Sequence, residues 1–252
     1  MFDLSGQVAI VTGGNGGLGL AFSRGLIKAG CTVAIWGRNP EKNAAAEAEL
    51  KQMGGTAAAF ECDVLDEAQV QTAFDATIEA FGKVDICIAN AGGGGFGGMS
   101  HQVGSKVWQS AIDLNITSVL NTFAPVTSHL LERKQGGKLI VTSSPAAYMG
   151  FGGAAGYSTT KAAVIGLVKA LAVELGRANI QVNAILPGFV ETEMSSKLPP
   201  HMREAVDRRS AVGRVGTFED MEGIAVFLSS KESSFLTGQD IIIDGGMTIH
   251  PA

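Results

Sequence analysis

Short apolar runs rich in valine and isoleucine alternate with longer segments of helical periodicity along the whole chain. The runs that predict strands are residues 8–11, 32–36, 57–61, 86–89, 138–142, 181–186 and 241–244. Between the first two runs, Leu18, Phe22 and Leu26 recur on one face, as expected of a one-sided helix. Because strands that are apolar throughout are buried on both faces, the alternation predicts an α/β fold, a doubly wound parallel sheet of about seven strands with helices on both faces.

The length of the chain favours a single domain. With 252 residues, 46% of them hydrophobic, it lies near the upper size limit for one core, and we predict one domain over residues 1–252. Its charged fraction of 17% is below the ~25% of an average soluble domain, which argues against disorder. Residues 190–216 interrupt the alternation and are either a solvated loop with a short helix or a mobile lid over a substrate.

Charge and residue usage exclude several classes of partner. The formal net charge is -5, so a nucleic-acid partner is not expected. Neither an apolar run of membrane length nor a secretory leader is recognisable, which predicts a cytoplasmic protein without a membrane partner. Cys31, Cys62 and Cys87 lie in or beside apolar runs and are interpreted as reduced core thiols, and the scattered histidines predict no metal site.

A glycine-rich turn follows the first predicted strand and opens the first predicted helix. Its spacing is Gly13-x-x-x-Gly17-x-Gly19. Glycines allow a tight turn and let backbone N–H groups approach a pyrophosphate, and the helix N-terminus favours negative charge. In this context of strand, turn and helix, the motif predicts dinucleotide binding by Gly13, Asn15, Gly17, Leu18 and Gly19.

The residues after the second predicted strand indicate which dinucleotide is bound. An NAD-preferring site places a carboxylate here to bond the ribose 2′-hydroxyl, but this chain has Arg38 and Asn39. A guanidinium can bond the 2′-phosphate of NADP in bidentate fashion. We therefore predict NADP(H) as the preferred cofactor, with NAD(H) as the second option. The alternative interpretation is that Arg38 is an ordinary solvent-facing arginine.

Three linked positions make the chain resemble the short-chain dehydrogenase/reductase family over nearly its whole length. These positions are Tyr157 and Lys161, in the spacing Tyr157-x-x-x-Lys161, and Ser144, which follows the fifth predicted strand. The glycine spacing after the first strand is a further match. The resemblance implies an NAD(P)-dependent oxidoreductase with a Rossmann fold, in which Tyr157 is the acid or base and Ser144 holds the substrate oxygen. Since Tyr157 and Lys161 share one helix face, the ammonium is expected to lower the pKa of the phenol. Asn115 either holds a water in a proton relay or caps or kinks its helix.

Further motifs of the family imply more cofactor contacts. The residues concerned are Asp63, Val64, Asn90, Ala91, Gly92, Tyr157, Lys161, Pro187, Gly188, Val190 and Thr192. Residues 236–239 and 243–246 match the family's closing strand. Two positions depart from the family pattern: Ala89 stands where an asparagine is usual, and Gly16 stands where NADP-preferring relatives often carry a basic residue. Whether Gly16 relaxes the NADP preference is open.

The identity of the small-molecule carbonyl or alcohol substrate is the least determined part of the prediction. A ketone or 3-oxoacyl reductase is the leading expectation. A sugar, sugar-acid or polyol dehydrogenase is the alternative within the family, and a non-catalytic dinucleotide-sensing regulator is the alternative outside it. Phe96, Met149, Phe151 and Phe189 either line an apolar pocket or pack loops. The helix that contains Tyr157 is apolar over more than one face, which together with the resemblance predicts a homotetramer or homodimer.

Overall fold

Seven parallel strands form one sheet in this protein, of which a computed structural model describes residues 1–95, 98–191 and 200–250. The strands are β1 (Val8–Thr12), β2 (Thr32–Gly37), β3 (Ala57–Glu61), β4 (Ile86–Ala89), β5 (Gly137–Thr142), β6 (Ile180–Pro187) and β7 (Asp240–Ile243). They are hydrogen-bonded in the order β3-β2-β1-β4-β5-β6-β7. The predicted doubly wound parallel sheet is confirmed, and every predicted strand agrees with the observed one to within one residue at each end.

Helices cover both faces of the sheet. They are α1 (Gly17–Lys28), α2 (Pro40–Gln52), α3 (Glu67–Phe81), α4 (Ser105–Ile112), α5 (Ser118–Arg133), α6 (Ala155–Leu175), α7 (Pro200–Arg209) and α8 (Glu219–Ser229), with a π-helical turn at Asp113–Thr117 and a 3-10 turn at Pro145–Ala147. Over the described ranges, none of the helices has the length and apolar character needed to span a bilayer. Helix α7 lies within the segment predicted as a loop or lid, but residues 192–199 of that segment lie outside the described residues. The prediction of a lid therefore stays a prediction.

Successive residues of a strand point to opposite faces of the sheet, and two apolar cores result. In β1, Ile10 packs in a core with residues of α3, α5 and α6, whereas Ala9 and Val11 pack in a core with residues of α1, α2 and α8. A central strand therefore needs apolar side chains on both of its faces, which is why these strands are apolar throughout. The three cysteines are buried and unpaired in these cores, as predicted.

The strand order reverses between β1 and β4. Strand β1 pairs with β2 on one side and with β4 on the other, so a crevice opens outside the carboxyl ends of β1 and β4. The turn after β1 and the loop after β4 are tied together there. Thr12 Oγ1 accepts hydrogen bonds from the backbone N–H groups of Asn90 and Ala91, each at 3.0 Å. The topology thus predicts that ligands bind at this edge of the sheet.

Trp36, the largest fully buried side chain described, brings a polar group into the core. Its indole Nε1 donates to Thr77 Oγ1 at 3.0 Å, and Thr77 Oγ1 donates in turn to the Ala73 carbonyl at 2.7 Å. A buried N–H that lacks an acceptor costs about 1–3 kcal/mol. The bond between Trp36 and Thr77 therefore stabilises the contact of β2 with α3.

We predict that Thr77→Val lowers the free energy of unfolding by about 1–3 kcal/mol, because the indole N–H loses its acceptor while the side chain keeps its size. Thr72→Val is the matched control. Thr72 lies on the same helix and donates to the carbonyl of Ala68 in the same way, but it is exposed. Chemical denaturation measures both variants, and equal losses would contradict a role for the Trp36 bond.

Candidate active site

A cleft with a volume of about 990 Å³ opens at the carboxyl ends of the central strands. The residues that line it are Gly17, Leu18, Asn90, Gly92, Gly93, Thr142, Ser143, Ser144, Pro145, Ala146, Phe151, Tyr157, Lys161, Pro187, Gly188, Phe189, Phe218 and Met247. Three of the four predicted catalytic side chains, Ser144, Tyr157 and Lys161, are among them. The structure therefore brings together residues that the sequence places on different elements.

Ser144 is held at the carboxyl end of β5. Its backbone is extended and it caps the 3-10 turn that starts at Pro145, where its Oγ accepts a hydrogen bond from the Ala146 N–H at 3.2 Å. Proline favours the first position of such a turn because its φ is already set and its missing N–H is not needed. The same hydroxyl is hydrogen-bonded to the Tyr157 side chain. The serine thus reaches the phenol from a fixed position.

Lys161 connects helix α6 to the end of β5. Its buried amine donates to the Thr142 carbonyl at 2.8 Å, and Ser143 Oγ donates to the Lys161 carbonyl, also at 2.8 Å. The amine lies 5.7 Å from the centroid of the Tyr157 ring. These contacts place Tyr157, one helical turn before Lys161, beside Ser144 at the mouth of the cleft.

The expectation that Lys161 lowers the pKa of Tyr157 is wrong for this structure. Burial raises the pKa of the Tyr157 phenol above its ordinary value, and the hydrogen bond from Ser144 offsets only part of that rise. Burial also lowers the pKa of the Lys161 amine to about 8. Sequence spacing placed the two groups on one helix face but carried no information on how much water each would lose.

Asn115 is buried in the π-helical turn between α4 and α5. Its amide Nδ2 donates to the carbonyls of Gly93 and Ala111 at 2.8 and 2.9 Å, and its Oδ1 accepts from the Gly93 N–H at 3.0 Å. The side chain therefore clamps the loop after β4. The helix is π-helical at this position, and both expectations for Asn115, the water relay and a cap or kink of the helix, stay predictions.

In the glycine-rich turn, the absence of side chains on the glycines leaves the backbone at the start of α1 uncovered. Gly13 and Gly17 have φ angles of 63° and 53°, in the left-handed region that favours glycine. A side chain on Gly19 would lie 2.2 Å from the Gly13 carbonyl oxygen, so only glycine lets the helix approach the turn this closely. Such a cradle at a helix N-terminus fits a pyrophosphate.

Asn43 supports this turn and was not singled out from the sequence. It is buried on α2, where its Oδ1 accepts from Asn15 Nδ2 at 2.7 Å and its Nδ2 donates to the Gly37 carbonyl at 2.8 Å. A side chain on Gly37 would lie 2.3 Å from Asn15 Nδ2, so the contact needs bare backbone there. The predicted cofactor residue Asn15 thus has its amide directed at the protein. The sequence signal that could have identified Asn43 is a single asparagine followed by alanines in a helical segment.

At the end of β2, Arg38 is free to bind an anion. Its side chain is 69% exposed, and its Nη1 lies 3.9 Å from Asp63 Oδ2, a loose surface pair that contributes little. The Asn39 side chain accepts from the Lys42 N–H at 2.9 Å and caps α2, and its predicted cofactor contact stays a prediction. Val64 is buried in the core, so its predicted cofactor contact would be made by its backbone and stays a prediction.

The remaining predicted cofactor residues lie along the crevice. Asn90, Gly92, Pro187 and Gly188 line the cleft, and Ala91 belongs to the loop tied to Thr12. Val190 is buried in a bridge with Gly216, and Thr192 lies outside the described residues.

The apolar lining was only partly foreseen. Phe151 and Phe189 line the cleft as proposed, Met149 does not, and Phe96 lies outside the described residues. Phe218 and Met247 line the cleft although no sequence motif marks them.

Comparisons with known proteins agree with this geometry. The family model described as enoyl-(acyl carrier protein) reductase matches residues 13–248. A 3-oxoacyl-(acyl-carrier-protein) reductase of Chlamydia pneumoniae is 34% identical over 97% of this chain and 98% of its own. The 3beta-hydroxysteroid dehydrogenase 1 of Eggerthella lenta is 36% identical over 99% and 96%. A crystal structure of a gluconate 5-dehydrogenase from Burkholderia cenocepacia with NADP and tartrate superposes with a TM-score of 0.92 at 32% identity, covering 98% of this chain and 97% of that one.

We predict that Gly19→Ala weakens binding of NADPH by at least about 100-fold, because its methyl group would overlap the Gly13 carbonyl and displace the turn. Gly16→Ala is the matched control. Gly16 has an extended φ of 178°, and a side chain there meets nothing within 4 Å. Fluorescence titration with NADPH measures both variants. Similar dissociation constants for the two would show that the close approach at Gly19 is not needed.

Proposed function

This chain belongs to the short-chain dehydrogenase/reductase family of oxidoreductases, and we propose that it transfers a hydride between NADP(H) and a ketone or its secondary alcohol. We take 3-oxoacyl-type ketones as the leading substrates, because a relative that is 34% identical over 97% of this chain is named a 3-oxoacyl-(acyl-carrier-protein) reductase. A sugar or sugar-acid dehydrogenase is the second candidate, favoured by a gluconate 5-dehydrogenase of Gluconobacter oxydans that is 34% identical. The comparisons give no support to a non-catalytic regulator.

The observation that carries this proposal is the hydrogen-bonded pair of Ser144 and Tyr157 at a cleft that also exposes a dinucleotide cradle. The bare backbone from Gly13 to Gly19 fits a pyrophosphate. On the other side of the strand reversal, Lys161, Pro187 and Gly188 line the part of the cleft that a nicotinamide would occupy. When bound there, NADP(H) supplies the hydride.

The protein's own contribution is to hold and move a proton at the substrate oxygen. Burial raises the pKa of the Tyr157 phenol above its ordinary value, so this side chain would act as the proton donor in reduction. Ser144 Oγ would hydrogen-bond the same oxygen and orient the carbonyl beside the phenol. In reduction the Tyr157 phenol would donate its proton to the substrate oxygen, and in oxidation the phenolate would take that proton from the alcohol. Asn115 would support this arrangement by holding the loop at Gly93.

We predict that Tyr157→Phe lowers kcat for ketone reduction by at least about 100-fold while NADPH still binds, because only the proton donor is removed. Tyr148→Phe is the matched control, since the chain has just these two tyrosines and the Tyr148 hydroxyl bonds Asp240 away from the cleft. Nicotinamide absorbance follows turnover in both. Substantial activity in Tyr157→Phe would overturn the assignment of the acid.

We further propose that NADP(H) is preferred over NAD(H). Arg38 supports this, because its exposed guanidinium stands at the end of β2 with only a loose contact to Asp63. No carboxylate follows β2 directly to repel a phosphate, since the next two residues are Arg38 and Asn39.

We predict that Arg38→Ala weakens NADPH binding by about 10-fold or more and leaves NADH binding within about twofold, because a charge-assisted bond to the 2′-phosphate is lost. Arg177→Ala removes an exposed arginine near the amino end of β6 and controls for the change in charge. The measurement is the dissociation constant of each variant for NADPH and for NADH. An equal loss of affinity for NADPH and NADH in Arg38→Ala would contradict the proposal.

We also propose a cytoplasmic homotetramer or homodimer. The three unpaired, buried thiols support a reducing compartment. The outer face of α6 supports association, because Val173 is 85% exposed there beside small residues. Sedimentation as a monomer at micromolar concentration would contradict the assembly.

A further inference from the structure

The strand order separates the two ends of the cleft. Arg38 follows β2 on one side of the strand reversal, whereas Ser144 follows β5 on the other side. Phe189 follows β6, and Met247 follows β7 at that same side. Apart from Pro187 and Gly188, which are assigned above to the nicotinamide, the lining beyond Ser144 and Tyr157 comes from the segments after β5, β6 and β7, and this is the end left for the substrate.

Apolar side chains dominate the substrate end. Pro145, Phe151, Phe189 and Met247 line it. Phe151 and Phe189 remain 42% and 37% exposed, so an apolar substrate that covered them would remove their surface from water.

Charge is scarce in the same place. Of the described residues that line the cleft, Lys161 is the only one with a charged side chain. Its amine already donates to the Thr142 carbonyl, and it lies on the nicotinamide side of Tyr157 in the arrangement proposed above. Among the described residues, a substrate carboxylate would lose water here without gaining a cation other than Lys161, which is costly.

Met247 lies in a turn that hydrogen bonds to Asp244 close, near the end of the described chain. Its own N–H donates to the Asp244 carbonyl at 3.2 Å. The neighbouring N–H groups of Gly246 and Thr248 donate to the two Asp244 carboxylate oxygens at 2.8 and 2.7 Å. The turn thus directs a methionine that is only 8% exposed into the cleft wall.

We infer that the substrate end selects an uncharged carbonyl compound with apolar flanks, and that Met247 is a specificity-determining residue of that wall. This inference rests on the proposed ketone reduction. It separates the two substrate candidates, since a 3-oxoacyl chain satisfies it and an ionised sugar acid does not.

The charge selection is tested with one matched pair of ketones. Methyl 4-oxocyclohexanecarboxylate and 4-oxocyclohexanecarboxylate share the ring and carbonyl and differ in that only the second is ionised at pH 7. With NADPH and the wild-type protein, kcat/KM for the ester should exceed that for the acid by about 10-fold or more. A ratio near one, or in favour of the acid, would overturn the inference.

Binding distinguishes failure of this inference from failure of the proposed function. If no ketone is turned over, the proposed reduction is wrong, and the fluorescence of protein-bound NADPH still reports which of the pair binds. Tighter binding of the ester supports charge selection. Equal binding, tighter binding of the acid, or no binding of either compound contradicts it.

The role of Met247 is tested by Met247→Ala, with Ile249→Ala as the control on an 84% exposed neighbour. Loss of apolar contact should raise KM for the ester about 5-fold and leave the dissociation constant of NADPH unchanged. Met247→Leu, which keeps the volume, should restore KM to within about twofold of the wild type. An unchanged KM in Met247→Ala, or a loss that Met247→Leu does not restore, would remove Met247 from the specificity wall.

Discussion

The arrangement of the active site depends on one hydrogen bond, from the Lys161 amine to the Thr142 carbonyl. It joins the last residue of β5 to α6, and the Ser143 hydroxyl reinforces it with a bond to the Lys161 carbonyl. Together they fix how far α6 lies from the end of β5, and so bring Tyr157 to Ser144. The amine is buried where it makes this bond, and burial lowers its pKa to about 8.

Other buried polar side chains shape the cleft in the same way, by hydrogen-bonding to backbone groups of the loops. Thr12 holds the start of the loop after β4, and Asn115 holds that loop at Gly93. On the other side of the strand reversal, Asn43 binds the Gly37 carbonyl and steadies Asn15 in the glycine-rich turn. Each of these side chains satisfies backbone groups that the loops would otherwise leave unpaired. The crevice is thus preformed by the protein itself.

Local patterns predicted the elements well because their causes are local. The β5 strand could be located within one residue from its apolar run, since burial on both faces leaves a continuous signal. The glycine spacing after β1 located the cradle, because positive φ at Gly13 is a property of that residue's own backbone. Where a residue had two local options, the sequence did not decide between them. An asparagine side chain can either cap a helix or contact a ligand, and in the fold the Asn39 side chain caps α2.

By itself the sequence determined the parallel sheet, its strand limits and the set of groups available for chemistry, because periodicity and motif spacing are written along the chain. Only the tertiary structure decided how those groups behave. The direction of the Tyr157 pKa shift depends on burial, which raises the pKa more than the hydrogen bond with Ser144 lowers it. Met247 and Phe218 line the cleft because β7 and α8 return to the site, a contact that no spacing encodes. Desolvation and long-range packing arise only when distant segments meet, so the selection of substrate is settled by the fold.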